Sequence, residues 1–355
     1  GLAYQVDGDV YYSVEKFSGY GKLSGRTLAD MMAGARIDVN EKKRNPFDFV
    51  LWKASKEGEP RWESPWGGGR PGWHLECSVM SQRYLGDTFD IHGGGEDLVF
   101  PHHENEIAQS EGATGKPLAR FWVHNGFVRV NDEKMSKSLG NFFTIRDILQ
   151  QCHPEVLRFF LLQSHYRSPV DFSDVALAEA RQGMDRFYAV LLTLRELLAA
   201  GPIGSGAEPS PQEQELGEQI GSLRARFREA MDDDFNTSRA LGCLFEAVRL
   251  LNAFLAGNKA GTVSPVLAEA EAVIRETGAV LGLFREDPAA YLRLDREREA
   301  AKRGVALAEV EALIAERRAA RDAKDWSRAD EIRQSLAARG VILKDTPTAT
   351  TWTVA

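Results

Sequence analysis

The apolar positions divide the chain into two textures. From about Ser173 they recur at helical spacing: Leu191, Leu192, Leu194, Leu197 and Leu198 form one stripe, and Leu241, Leu244, Val248, Leu251 and Phe254 another. The Gly-, Pro- and Ser-rich stretch 200–212 reads as a loop between helices. A last unit begins near 304. There Val310, Leu313 and Ile314 make a helical stripe, and Ser327-x-x-Asp330 has the form of an N-cap opening a second helix that stops at Gly340. Val341-Ile342-Leu343 and Thr350 to Val354 read as strands, which predicts a small mixed domain at this end. Before Ser173 the patterns are shorter. Tyr11, Tyr12 and Val14 form a strand-like run after the turn signal Asp7-Gly8-Asp9. A second run spans Phe47 to Trp52, and Gly58, Pro60, Pro65 and Gly67-Gly68-Gly69 mark a long loop. The first seventy residues therefore read as a connector rather than a core. Arg120 to Val130 predicts a strand, and a polar loop from Asn131 to Asn141 follows it.

Composition narrows the class. A length of 355 residues allows two or three domains, and 43% hydrophobic with 27% charged residues is ordinary for a globular protein. No stretch holds the roughly 20 uninterrupted apolar residues of a membrane helix, and no signal segment opens the chain. Three scattered cysteines, Cys77, Cys152 and Cys243, make no disulfide framework and favour a reducing cytoplasm. A net charge of −8 argues against a histone-like binder and leaves room for one local nucleic-acid groove. The opening Gly1-Leu2-Ala3-Tyr4 lacks an initiator Met, so the chain is expected to be part of a longer protein.

Candidate chemistry is concentrated in 71–126, which holds five of the seven histidines: His74, His92, His102, His103 and His124. In Pro101-His102-His103-Glu104-Asn105-Glu106, Pro101 suits the first position of a helix. His102 and Glu106 then lie four apart on one face. With the thiolate of Cys77 they make a borderline-soft set that favours zinc. The alternative is that Glu104 and Glu106 are helix-start carboxylates beside buried, hydrogen-bonded histidines. His92-Gly93-Gly94-Gly95-Glu96-Asp97 follows a plausible strand end at Phe89-Asp90-Ile91. Its glycines would let the backbone approach a ligand while Asp97 accepts from ribose hydroxyls, or the tract is a glycine turn with a solvated Asp. Trp73 fits the core, or the wall of a small pocket beside the metal.

Lys134-Met135-Ser136-Lys137-Ser138-Leu139-Gly140-Asn141 places two lysines on a polar loop, a form that can fold over a triphosphate or stand simply as a solvated surface loop. The string resembles the signature loop of class I aminoacyl-tRNA synthetases. Gly72-Trp73-His74-Leu75-Glu76-Cys77, Asp90 to Gly95 and Phe100 to Glu106 are similar to cysteinyl-tRNA synthetases in particular. So are Arg44 to Lys53, Met231-Asp232-Asp233-Asp234-Phe235-Asn236 and the tail ending Thr351-Trp352.

The resemblance implies a fold of class α/β plus all-α. It comprises the C-terminal half of a Rossmann-like catalytic domain with its connective insertion, a helical anticodon-binding bundle and a small mixed α/β C-terminal domain. The expected divisions are 1–70 (connective insertion), 71–130 (second catalytic half), 131–174 (lysine loop and stem-contact region), 175–290 (bundle) and 304–355 (final tRNA-binding domain). The implied reaction is ATP-dependent activation of L-cysteine to cysteinyl-adenylate, then transfer to cysteine tRNA. The family's zinc ion holds the substrate thiolate through two cysteines, a histidine and a glutamate, and Cys77, His102 and Glu106 match three of these. The remaining cysteine and the family's HIGH motif have no counterpart here, so the chain alone is expected to be catalytically incomplete. Lys137 is implied to contact phosphate with Lys134 supporting, Asp97 and Gly95 to hold the adenosine, and Trp73 and His74 to line the amino-acid pocket, with magnesium accompanying ATP. The expected partners are ATP, cysteine and tRNA, with no membrane and a monomeric, cytoplasmic protein. Rival readings are the cysteine–aminosugar ligase of mycothiol synthesis and a non-catalytic tRNA-binding fragment. Over 301–345 ten Lys or Arg face eight Asp or Glu, and Arg317, Arg318, Arg321 and Lys324 cluster as a tRNA-contact or salt-bridged surface. Trp326 and Trp352 are expected in the core, with base stacking as the alternative.

Overall fold

Asp7 and Gly8 adopt positive φ (50° and 83°) and reverse the chain between β1 (Ala3–Val6) and β2 (Asp9–Tyr12). β3 (Phe49–Ala54) and β4 (Gly69–Pro71) extend this hairpin into an antiparallel sheet of order β1-β2-β3-β4. The computed structural model describes residues 1–28, 42–130, 143–200, 209–257, 264–345 and 350–354, plus the backbone of 133–134. These fall into two compact units, 1–127 with 167–169, and 128–166 with 170–355.

In the first unit the opening seventy residues are more than a connector. All four residues of β2 are buried, and Tyr12, Val14, Tyr20 and Phe49 form an apolar cluster with Ala108. The physical reason is that the tyrosine hydroxyls find partners: Tyr12 Oη donates to the Ala108 carbonyl (2.6 Å) and Tyr20 Oη to Asn105 Oδ1 (2.5 Å). After α1 (Trp73–Leu85), β5 (Phe89–Gly95) pairs in parallel with β6 (Ala119–Asn125). α2 (Glu104–Thr114) supplies the crossover that a parallel pair requires. The Gly93-Gly94-Gly95 run lies inside β5 rather than after it, because the ladder to β6 continues as far as Gly95 opposite Asn125. The expected strand 120–130 is two strands. β6 ends at Asn125, and β7 (Val128–Val130) belongs to the second unit, antiparallel to β8 (Glu133–Lys134) and parallel to β9 (Val170–Phe172).

The second unit is mainly helical: α3 (Ile145–Leu149), α4 (Pro154–Leu162), α5 (Asp174–Ala200), α6 (Pro211–Asp232), α7 (Thr237–Gly257), α8 (Pro265–Val280) and α9 (Pro288–Lys302). Four starts share one device, a side-chain cap followed by proline: His153-Pro154, Ser210-Pro211, Ser264-Pro265 and Asp287-Pro288. The predicted loop 200–212 thus ends at a cap, and 201–208 lie outside the described residues. Leu191, Leu194, Leu241, Leu244, Val248 and Leu251, from the two predicted stripes, are all buried in one core. α7 is the one described helix long and apolar enough to cross a membrane, yet it carries Glu246, paired with Arg226 of α6 at 2.6 Å.

α10 (Leu307–Asp322), α11 (Trp326–Ala338) and the antiparallel hairpin β10 (Val341–Asp345) and β11 (Thr350–Val354) close the chain around Val310, Ile332, Leu336, Val341 and Trp352. α11 starts one turn signal earlier than Ser327. Asp325 is its cap, accepting from the Arg328 amide at 3.0 Å, and Gly340 at φ 78° follows its end. Arg317 makes a bidentate bond to Asp345 (2.8 Å each), and Arg321 reaches the same carboxylate, so two arginines of the basic cluster share one internal acid. Trp352 is buried as expected. Trp326 is not, with 59% of its surface exposed at the first turn of α11.

Candidate functional site

The first unit brings its histidines together from three directions. Trp73 and Cys77 are four apart at the start of α1 and so share a face. His102 and His103 occupy the turn leading into α2, and the helical spacing puts His102 Nε2 2.6 Å from Glu106 Oε1. On the parallel pair, His92 lies opposite Trp122 and Gly94 opposite His124, so alternation places all four on one face. That face meets α2: His92 Nε2 is 2.9 Å from Glu106 Oε2, and His124 Nε2 is 2.8 Å from His103 Nδ1. A Cβ on Gly94 would sit 3.0 Å from His103 Cε1 and 2.8 Å from Leu98 Cδ1, so the glycine is what lets His103 approach the strand.

Two sets of donors result. Cys77, His102 and Glu106 have ligand atoms within 4.8 Å of one another, and so do His92, His103 and Glu106. Glu106 is common to both. It is 1% exposed, and its two oxygens contact two different imidazoles, neither in hydrogen-bond alignment. Burial pushes its carboxyl up, but the His102 and His92 imidazoles outweigh this and hold it at about 2. Burial, with Glu106 beside it, raises the Cys77 thiol. Burial also lowers His74 and His103 to about 4, so both are neutral near pH 7 with lone pairs available. A half-buried thiol with a buried imidazole and an under-bonded buried carboxylate fits a zinc-class ion and does not fit an apolar core.

Around these donors sits a positioning layer. His74 Nδ1 is 2.7 Å from His102 Nδ1, which leaves His102 Nε2 turned toward Glu106. Gln109 Nε2 donates to the His74 carbonyl and to Ser78 Oγ, both at 2.5 Å. Trp73 is not core: it is 59% exposed and stacks on His102 with centroids 4.2 Å apart. Gln109, and the engagement of His92 and His124, were not assigned by sequence reasoning. The signals were present in the i, i+3 step from Glu106 to Gln109 and the i, i+2 alternation on β5 and β6.

Gly95 ends β5, and a Cβ there would lie 2.6 Å from Asp97 Oδ1 on the short turn Glu96–Leu98. The side chain of Lys134 is not among those described, although its backbone lies in β8, and Lys137 lies outside the described residues.

Comparison with known proteins agrees with this layout. Family models match residues 1–182 (class I (C) tRNA synthetase catalytic domain), 226–285 (DALR domain) and 296–352 (cysteinyl-tRNA ligase anticodon binding domain). The chain is 59% identical over 355 residues to a cysteine–tRNA ligase of Geobacter metallireducens, covering 100% of this chain and 73% of the relative. It is 59% identical over 354 residues to one from Geobacter sulfurreducens, covering 100% and 72%. A solved chain from Campylobacter jejuni described as an arginyl-tRNA synthetase shares the fold alone, at 13% identity and TM-score 0.50 over 81% of this chain and 59% of that one. With its class I catalytic region, helical DALR segment and anticodon-binding end, the chain belongs to the cysteine–tRNA ligase family.

Proposed function

We propose that this chain serves the ATP-dependent activation of L-cysteine to cysteinyl-adenylate and its transfer to cysteine tRNA. The observation that carries the reading is the Cys77–His102–Glu106 donor set, its histidine and glutamate buried, within the region matching the catalytic domain. These three residues would hold a zinc ion. When bound, zinc supplies a Lewis-acidic contact to the substrate thiolate that a serine hydroxyl reproduces poorly, which gives specificity without a separate editing site.

The chain's own residues do the rest. His74, bonded to His102, fixes the ligand imidazole in one orientation. Trp73, stacked on His102, walls the amino-acid pocket. Because His74 and His103 stay neutral near pH 7, they add no positive charge where the substrate ammonium binds. Asp97 accepts from the ribose hydroxyls of adenosine, and Gly95 keeps the backbone beside it accessible. Lys137, with Lys134, contacts the phosphates of magnesium–ATP as the cysteine carboxylate attacks the α-phosphate and pyrophosphate leaves. The matched anticodon-binding segment supports tRNA, rather than an aminosugar, as acceptor. A monomeric cytoplasmic enzyme completes this reading.

The chelator-stripped chain is expected to take up one tight equivalent of zinc, and Cys77→Ser is expected to weaken it by more than about tenfold. Unchanged zinc affinity in that variant overturns the ligand assignment. Neither a HIGH motif nor a second matching cysteine ligand is among these 355 residues. Cysteine-dependent ATP–pyrophosphate exchange is therefore expected only when a segment carrying both is supplied, and robust exchange by the 355 residues alone contradicts that expectation.

A further inference from the structure

We propose that His92, His103 and the second oxygen of Glu106 form a further site for a divalent transition metal, adjoining the Cys77–His102–Glu106 set and sharing Glu106 with it as a bridging carboxylate. The inference rests on the reading above only through that shared residue.

Glu106 Oε1 lies against His102 and Oε2 against His92, so the two oxygens already serve different imidazoles. Neither oxygen accepts an aligned hydrogen bond, although the carboxylate is 1% exposed. Buried carboxylate oxygens left this way are rare unless something else satisfies them. His103 Nδ1 is engaged by His124 Nε2 at 2.8 Å, leaving Nε2 as its ligating atom. An imidazole held by its other nitrogen is the arrangement that orients metal ligands. His92 is confined by Trp122 (centroids 4.8 Å apart) and by the edge of His103 (4.6 Å). Its side chain keeps 15% exposure, which gives an ion a way in.

The chemical class follows from the donors. Two imidazoles and one carboxylate, with no sulfur, suit zinc or cobalt(II) and do not suit magnesium or calcium, which prefer all-oxygen sets. Thiolate keeps the first ion at Cys77. Two dications sharing one carboxylate repel each other, so the second ion binds more weakly than the first, by at least about tenfold.

Cobalt(II) titration of the chelator-stripped chain tests this. The first equivalent is expected to give a thiolate-to-cobalt charge-transfer band, and a second, weaker equivalent ligand-field bands alone. His92→Asn and His103→Gln should each abolish the second equivalent and leave the charge-transfer band in place, whereas Cys77→Ser should do the reverse. Metal-free melting curves matching wild type identify folded variants, and the milder His92→Asn carries the test if His103→Gln does not fold. Saturation after one equivalent at millimolar cobalt overturns the proposal. So does a second equivalent that persists in the folded histidine variants, which marks an adventitious ion. If the charge-transfer band is absent while a histidine-dependent equivalent remains, the Cys77 assignment fails and the second site stands.

Discussion

Glu106 is a buried carboxylate and Asp185 a half-buried one, and their neighbours drive them in opposite directions. Burial raises both. At Glu106 the imidazoles of His102 and His92 more than offset it, and the group is held at about 2. At Asp185, on α5, the nearby Asp295 of α9 adds to burial against the opposing pull of Arg181, and the group is pushed up to about 7. The sign of a buried group's shift is therefore set by the charges and lone pairs around it. The surroundings differ in purpose as well. The histidine region gathers thiol, imidazole and carboxylate atoms around Glu106, in two sets each within 4.8 Å. In the bundle, Arg181 of α5 pairs with Asp295 of α9 at 3.1 Å beside the apolar core, and Asp185 Oδ1 has no hydrogen-bond partner among the described residues.

The largest expected effect probes the bundle side of this contrast. Phe187 is fully buried against Phe245 (4.8 Å between centroids) and Phe284 (4.6 Å). Phe187→Ala should cost about 3–5 kcal/mol in thermal unfolding while leaving metal affinity at the histidine region unchanged below the transition. A parallel loss of metal affinity would break the comparison.

Acidity sets the two regions against each other directly. In the metal-free protein, His74 and His103 fall from 6.5 to about 4 on folding, chiefly through burial. Their contribution is complete above pH 6.5 and is lost as pH falls toward 4, because the unfolded chain takes up protons first. Asp185 rises from 3.8 to about 7, so its contribution is complete at low pH and is lost as pH rises from 3.8 toward 7. Each window is worth roughly 2–4 kcal/mol. Hydrogen exchange, corrected for intrinsic rates, should show α2 and β6 better protected at pH 7 than at pH 5, and α5 and α9 the reverse. Asp185→Asn should reduce the second trend, Asp295 (also raised by burial) supplying the rest, and a common direction in both regions would refute the contrast.

Gly94→Ala places a methyl group against Leu98 and His103, and an unfolding loss of about 1–3 kcal/mol is expected, together with weaker binding of the second cobalt equivalent. The smallest effect lies at a purely local polar group. Asp325→Ala should cost about 1 kcal/mol in urea unfolding as a lost cap, against less than about 0.5 for Ser327→Ala. Equal costs would return the cap to Ser327.

How much of this was legible depends on the range of the interaction. The leucine stripes of α5 and α7 and the closing hairpin were readable because periodicity is local. The pairing of His102 with Glu106 was readable for the same reason. Trp326 was misjudged because its burial depends on what packs over the first turn of α11, and more than half of its surface stays uncovered. The glycine run was placed after its strand because glycine is a poor strand former, whereas pairing with β6 carries the strand through it. Tyr12 and Tyr20 were undervalued as core because their partners, Ala108 and Asn105, lie far along the chain.

By itself the sequence determined the family, the helical second half and the pairing of His102 with Glu106, since each rests on residue identity and short spacing. Only the tertiary structure decided that His92 and His103 converge on the same carboxylate. That convergence needs β5 and β6 in parallel register under α2, and register depends on hydrogen bonds between segments some thirty residues apart.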